Sequence, residues 1–498
     1  MASGARTLHH VPSALFGAWR SLGAEALNWV RREPQRKSAW LWFLLLPSLM
    51  LHAPVLSAAS SGVSPPLSHE VRVAAIMGGD FDACLADRNA SVWRPCIARR
   101  AGARHSTALR DALVAARRRA VRLARVGRLS AAARALRADP PAPQTPAVDR
   151  KARGLLPPAV PDLATPASIK AGFPAELARA AEHGRRSAVP AAVPCDAAVL
   201  TIRTAPGGSS PGPSGTRMEH LWVLGEEGRD ALVSVVLLLT GETAATRVPA
   251  VATHALAGAD LLLLSKPGGV RETGLPGLRP IGMPEALRKL DASALAATVR
   301  SSAADLLSPG QLGVGVPNAC MRILHELGAR FAHHPGDAVL QLYFKNAFNL
   351  VSRPAAEAVL HRALPVLTLI FLWAYGEGGP CVFGWAVDAA APPPPQGAGS
   401  SLSPAPPADG SSPPLPRWWL RAERGAQQGD PFGPLLHAAA MWLVLERLRA
   451  DHPSVVVRAF QDDVVVVGLP AALRGVLDAA ARLAGRIDAN LAPTKCVG

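Results

Sequence analysis

The segment SVVVRAFQDDVVVVG, residues 454–468, sets two runs of valine on either side of a short polar centre. Valine is stiff at χ1, packs well on a pleated surface and is a poor helix former. Two such runs around a tight polar tip predict a β-hairpin. Asp462 and Asp463 then sit at its tip. Adjacent carboxylates between apolar strands repel each other and are costly unless they are solvated or neutralised by a cation. An exposed Asp-Asp turn and half of a metal site are equal readings of this stretch taken alone.

Elements of both kinds surround the hairpin. LQLYFKNAFNLVSR, residues 340–353, reads as the end of a buried strand (339–344) and a turn. Pro354 is placed to open a helix over 354–364. PVLTLIFLWAYG is an apolar helix, QQGDPFGP a Gly/Pro turn, 435–449 a further helix, and AALRGVLDAAARLAGRI a last one before LAPTKCVG. Upstream, a helix is expected around RMEHLWVLGEEGRDALVSVVLLLTG. Strands and helices mixed in this way predict an α+β layer.

The charge points to a polyanionic partner. Of the 498 residues, 53 are Lys or Arg and 37 Asp or Glu, a net charge of +16. The excess is concentrated. Residues 94–139 hold 13 Arg against 2 Asp and no Lys, mostly in two expected helices joined at Gly127. Arginine binds phosphate bidentately, which favours nucleic-acid contact over a merely solvated face. The cysteines (84, 96, 195, 320, 381 and 496) include no CxxC pair, so neither a structural zinc site nor a disulfide framework is expected, and a reducing compartment fits. Residues 39–59 are apolar, follow Arg31, Arg32, Arg36 and Lys37, and have the length of a membrane span. Pro47, His52 and Pro54 interrupt them, so a buried helix and loop packed on the body is expected instead. The Pro-rich stretch 391–416 reads as a surface insertion, tolerable because lengthening a loop costs little.

Two further motifs bear on chemistry. In GAQQGDPFGPLL, Gly429 and Gly433 allow close backbone approach and the prolines stiffen a turn before a helix; the plain alternative is an ordinary helix-start loop with Asp430 as cap. Metal-dependent phosphoryl transfer also needs a carboxylate from a strand beside the Asp-Asp hairpin, so that two ions clamp the attacking and leaving oxygens. FKNAFNLVSR, GAQQGDPFGPLL, AFQDDVVVVG and LAPTKCVG, in that order, resemble the successive palm motifs of a reverse transcriptase. The likeness is to enzymes of non-LTR retrotransposons, in particular the site-specific, spliced-leader-associated class. PGPSGTRMEHL, LLLLSKPGGVRETGLPGLRPIG and SPGQLGVGVPNA resemble the lead-in, the fingers strands and the segment before the palm. The resemblance covers residues 206–498.

The resemblance implies a right-hand polymerase with fingers and palm and a mostly helical N-terminal extension. Composition divides the first part of the chain into a basic start with the apolar segment (1–70), the Arg-rich helical region (71–155) and a Pro-rich linker (156–205), and the resemblance adds a fingers-like region (206–335) and a palm (336–498) that ends before a thumb. It implies RNA-directed DNA synthesis in the nucleus, on an RNA template and DNA primer, from deoxynucleoside triphosphates, with magnesium or manganese. Asp462 and Asp463 would bind metal. Phe348 would lie under the incoming sugar and exclude a 2′-hydroxyl. Gln428 and Gly429 would touch template and nucleotide, Lys266 and Arg279 would hold the triphosphate, and Lys495 would pass a proton to pyrophosphate. The departure is Tyr343, at the place of the first-strand aspartate. A phenol is neutral at pH 7 and a poor magnesium ligand. Asp337 stands six residues earlier and cannot take that place, and Lys345, on the same face by alternation, adds a cation. An impaired enzyme is therefore expected, with a non-catalytic nucleic-acid-binding remnant of a retrotransposon as the alternative and a membrane-anchored protein as a weaker one.

Overall fold

The structure, a computed structural model, describes residues 7–8, 10–51, 68–77, 120–121, 142, 146–156, 164–241, 248–266, 277–376, 381–385 and 417–496. The Arg-rich stretch 94–139 (Ala120 and Val121 apart), residues 52–59 of the apolar segment and the insertion 391–416 lie outside the described residues.

Helices and small sheets mix throughout, so the chain is α+β and mainly helical. The valine runs form the hairpin β7 (Val456–Phe460) and β8 (Asp463–Gly468). β8 is the middle strand of a three-stranded antiparallel sheet, between β7 and β3 (Ala338–Leu342). A central strand covered on both faces explains its almost unbroken apolar run. A second sheet has the order β2 (Gly277–Pro284), β1 (Ala259–Lys266), β5 (Cys381–Trp385), β6 (Arg417–Arg421), with β1 and β5 parallel and the other pairs antiparallel. A third is the two-residue pair β4 (Phe344–Lys345) and β9 (Asn490–Leu491).

The helix Gly433–Asp451 is buried all round and packs against β7 and the helices Arg353–Ala363, Ala286–Leu307 and Pro470–Gly485. Apolar residues on every face leave it no stable place but the interior. Pro434 sits in its first turn, where no intrahelical N–H is lost. One continuous apolar core joins this helix to the N-terminal helices Phe16–Arg32 and Lys37–Met50.

The structure departs from the sequence reading in four places. The strand expected over 339–344 splits at Tyr343: β3 pairs with β8, β4 with β9. Inside–outside alternation continues through the break, with Leu342 and Phe344 buried and Gln341, Tyr343 and Lys345 exposed. The single helix expected around residue 230 is two, Met218–Trp222 and Glu226–Thr240, because Gly225 is extended and caps the second. Pro47 does not end its helix. It lies inside Lys37–Met50 near the C-terminal end, where only one interior hydrogen bond is forfeited and burial of Leu44, Leu46, Leu49 and Met50 outweighs it. Asp430 does accept from the Phe432 N–H at 3.0 Å, but it is chiefly an ion-pair partner in the core, described below. As expected, the described part of the apolar segment is a buried helix, and it contacts the helix Ala250–Ala257. Among the described residues no helix is long and apolar enough to cross a membrane.

Candidate nucleic-acid and metal site

The hairpin turn holds the first unusual backbone. Phe460 pairs with Asp463, which leaves Gln461 and Asp462 as the two central residues. Gln461 has φ 59°, in the left-handed region, and Asp462 does not share that sign. Glycine normally fills this position, so a glutamine there is strained and needs outside support. The support comes from GQLG, 150 residues earlier. The Gln461 N–H donates to Gln311 Oε1 at 2.8 Å, Gln311 Nε2 donates to the Gln461 carbonyl at 2.8 Å, and Gln461 Nε2 donates to the Gly313 carbonyl at 2.8 Å. Backbone bonds between Gly310, Leu312 and Ala459 extend the strap along β7. Gln311 is fully buried. A Cβ at Gly313 would lie 2.6 Å from the Gln461 nitrogen, so only glycine fits.

The register then brings Tyr343 to the tip. Leu342, opposite Val464, is the last paired residue of β3, so Tyr343 follows at the end of the strand where β8 begins with Asp463. Tyr343 is 39% exposed. Its backbone is bracketed by the C-terminal segment: the Ala492 N–H donates to its carbonyl at 2.9 Å, and its own N–H donates to Cys496 Sγ at 3.4 Å. Lys495, on the short helical turn Pro493–Lys495, lays its Nζ over the Tyr343 ring, 5.1 Å from the centroid. Asp463 is exposed, and partial desolvation, followed by the neighbouring Asp462 charge, raises its carboxyl above the usual range. Asp337 is engaged elsewhere, in an ion pair with Arg330 at 2.6 Å.

A second group forms behind the GAQQG loop. Gly429 has φ 102°, and a Cβ there would stand 2.0 Å from the Gly282 carbonyl. The Gly282 N–H donates to the Gln428 carbonyl at 2.7 Å, so β2 docks directly on the loop. Gln428 Oε1 is buried with no hydrogen-bond partner among the described residues. The Phe348 carbonyl accepts from Ala426 N–H at 2.7 Å, and its ring, half-buried, stacks on His437 at 4.5 Å and 10°. Burial pushes His437 down to about 4 and keeps it neutral. Lys266 and Arg279 share one exposed face of the β1–β2 pair, on a different sheet from Asp462 and Asp463.

Sequence reasoning missed the residues that fix the loop. Arg288 Nη2 donates to Asp430 Oδ2 at 2.7 Å, as does the Tyr375 hydroxyl at 2.7 Å, and Arg288 Nη1 reaches Asp291 at 3.3 Å. Arg353 donates to the carbonyls of Gly425, Ala422 and Arg424, and its guanidinium lies 5.2 Å from the Tyr375 ring centroid. No sequence spacing announces partners so far apart, though a charge inside an apolar helix, as at Arg288, is a signal in retrospect.

The donor set at the tip is two adjacent carboxylates, a phenol and an ammonium. A pair of divalent ions bridges carboxylates from separate strands. Among the described residues no group of three His, Cys, Asp or Glu side chains could hold a metal ion, and Tyr343, at the end of β3, offers a phenol. These residues do not fit a two-metal centre. An opening lined by Arg20, Glu25, Arg31 and Glu226 among others lies elsewhere, between the helices Phe16–Arg32 and Glu226–Thr240. Compared with known protein families and with curated proteins, the chain matches none.

Proposed function

We propose that this chain is a reverse transcriptase-like protein of retrotransposon origin, acting in the nucleus, that holds an RNA template and DNA primer between a fingers-like and a palm-like region. Its RNA-directed DNA synthesis, which in the family takes deoxynucleoside triphosphates and magnesium or manganese, is impaired in this copy. The observation that carries the reading is the convergence of three distant motifs: β3, which ends just before Tyr343, pairs with β8, which begins at Asp463, and Lys495 lies over the Tyr343 ring. The Gln311 strap on the hairpin turn and the docking of β2 on Gln428 and Gly429 support it. Tyr343 in place of a carboxylate favours the binding side of the activity over the chemistry.

The test has two parts. Binding of a fluorescent RNA template–DNA primer is followed by anisotropy between about 50 and about 200 mM salt, where phosphate contacts should cost orders of magnitude in affinity. Primer extension with magnesium then compares the native chain with Tyr343→Asp and with Tyr343→Asp/Asp462→Ala. Tyr343→Asp should extend at least about 100-fold better, since each ~1.36 kcal/mol of transition-state stabilisation is tenfold in rate. The double variant should lose the gain. No binding even at low salt, or equal synthesis by native chain and Tyr343→Asp, would overturn the reading.

A further inference from the structure

The end of the Arg-rich region, with the helix Pro146–Gly154, has no part in the activity proposed above, yet it lies across one face of the β1–β2 pair. The Ala142 N–H donates to the Leu263 carbonyl at 2.8 Å. Ala142, Val148 and Ala152 are buried with Leu278, and Leu155 and Leu263 pack against them. Leu263 and Leu278 share this face by alternation, while Lys266 and Arg279 belong to the other. The cluster is small and separate from the continuous core. A segment held by so few apolar contacts belongs to the low-stability end of a fold, from which lids and straps are drawn.

The segment ends at the Gln428 loop. Asn346, between Tyr343 and Phe348 in sequence, donates from Nδ2 to the Leu155 carbonyl at 2.8 Å. Leu156 lines one cavity with Asn349, Arg424, Gln427 and Gln428. The space left there is about 10 Å3, roughly what a single water needs. Gln427 Nε2 and Gln428 Oε1 are buried with no hydrogen-bond partner among the described residues. A buried donor and a buried acceptor left unpaired are each costly, and both would be relieved by a ligand with a polar edge.

We infer that residues 142–156 are an autoinhibitory strap: Leu155 and Leu156 close the pocket at Gln427 and Gln428, and primer–template reaches it only when the strap lifts. The inference rests on the proposed function for its ligand. With the strap down, the Gln428 oxygen is sealed from any ligand and the cavity admits nothing larger than water. Affinity for primer–template is then lowered by the fraction of molecules in which the strap is open. A strap lifted in about one molecule in ten makes the apparent affinity about tenfold weaker than that of an open site.

Two measurements on the full chain test this, each with two variants that leave the charge unchanged. Leu155→Gly/Leu156→Gly empties the pocket, and Ala152→Gln forces the helix off Leu278, since Ala152 is fully buried. In the first measurement, Gln428→Cys is added as a reporter, and its labelling by N-ethylmaleimide is followed by peptide mass. Labelling should be about tenfold faster with either strap variant than with the native strap. Equal rates would overturn the inference. So would a strap variant that unfolds the whole chain, because the segment would then belong to the core. In the second, primer–template binding is followed by anisotropy without the reporter. Both strap variants should bind about tenfold more tightly than the native chain, with the same salt dependence, because no phosphate-binding charge has changed. Equal affinity for all three would overturn the inhibitory role. Failure of all three to bind primer–template would refute the proposed function, while maleimide labelling would still decide whether the strap covers Gln428.

Discussion

Two polar clusters of this protein are built in opposite ways. Behind the Gln428 loop, Arg288, Asp291, Asp430 and Tyr375 are all but inaccessible, and each charge has an opposite charge or hydrogen-bond donor beside it. At the hairpin tip, Asp462 and Asp463 are accessible, like-charged and adjacent, and among the described residues no ion pair closes on them. The buried cluster is architecture: removing one member strands the others in a dry core. The tip is kept at the surface with its charges unspent, which is how a chain presents groups to something outside itself. The difference teaches where to look for function in a molecule rich in charge: the paired arginine holds the loop, and the exposed carboxylates are the ones the proposed function calls on.

The comparison breaks most easily at Arg288. Arg288→Met should destabilise the protein by about 3–5 kcal/mol in urea unfolding, because Asp430 and Asp291 are left buried and uncompensated. A loss below about 1 kcal/mol would mean that this cluster is as loosely coupled as a surface pair.

Next in size is a pH effect at another buried carboxylate. Glu285 is fully buried and accepts from the Ser214 N–H and hydroxyl; burial raises it to about 7, with Asp260 and Lys289 as its charged neighbours. The folded state therefore keeps a proton that the unfolded chain releases above about 4.5. Stability should fall as pH rises from about 4.5 to about 7, and Glu285→Gln should remove on the order of 3 kcal/mol of that fall. Unfolding midpoints measured across this window, with parallel curves for the two proteins, would refute it.

Gln311 sharpens the comparison, since it is buried yet serves the exposed tip. Gln311→Ala should cost roughly 1–3 kcal/mol, from lost hydrogen bonds and an unsupported Gln461. Amide exchange should rise first at 459–463 and not in the helix Gly433–Asp451. Smallest of all, Asp463→Asn should change stability by less than about 0.5 kcal/mol, with a slight gain from relief of repulsion by Asp462. A loss of several kcal/mol there would show the tip to be structural after all.

Much of the local structure was legible from the residues. The valine runs announced the hairpin, Pro354 and Pro434 the starts of two helices, and alternation the outward aim of Tyr343 and Lys345. Each rests on a short-range rule of period or backbone preference, which a sequence displays directly. What stayed hidden depends on partners far apart in the chain. Gln311 looks like any loop glutamine until Gln461 is beside it, and Asp430 looks like a helix cap until Arg288 and Tyr375 arrive. The break at Tyr343 was hidden for the same reason, because β9, which captures Phe344 and Lys345, comes almost 150 residues later. At the site, residue types and order were readable, whereas the cation over the Tyr343 ring was not, because it depends on how residues 490–496 fold back.

The strap on Gln461 also has a kinetic side. The turn is unfavourable on its own, and the side chain that relieves it lies 150 residues away, so the hairpin cannot acquire its final shape from local contacts. Closing so long a loop must precede the reward, a sequence of events typical of slow, late steps in folding. The tip should therefore mature last during refolding, with exchange protection at Gln461 trailing that of β8 by a separate phase in pulse labelling. A nascent chain would carry its two aspartates, but not the geometry that presents them, until residues 308–313 and 459–463 had met.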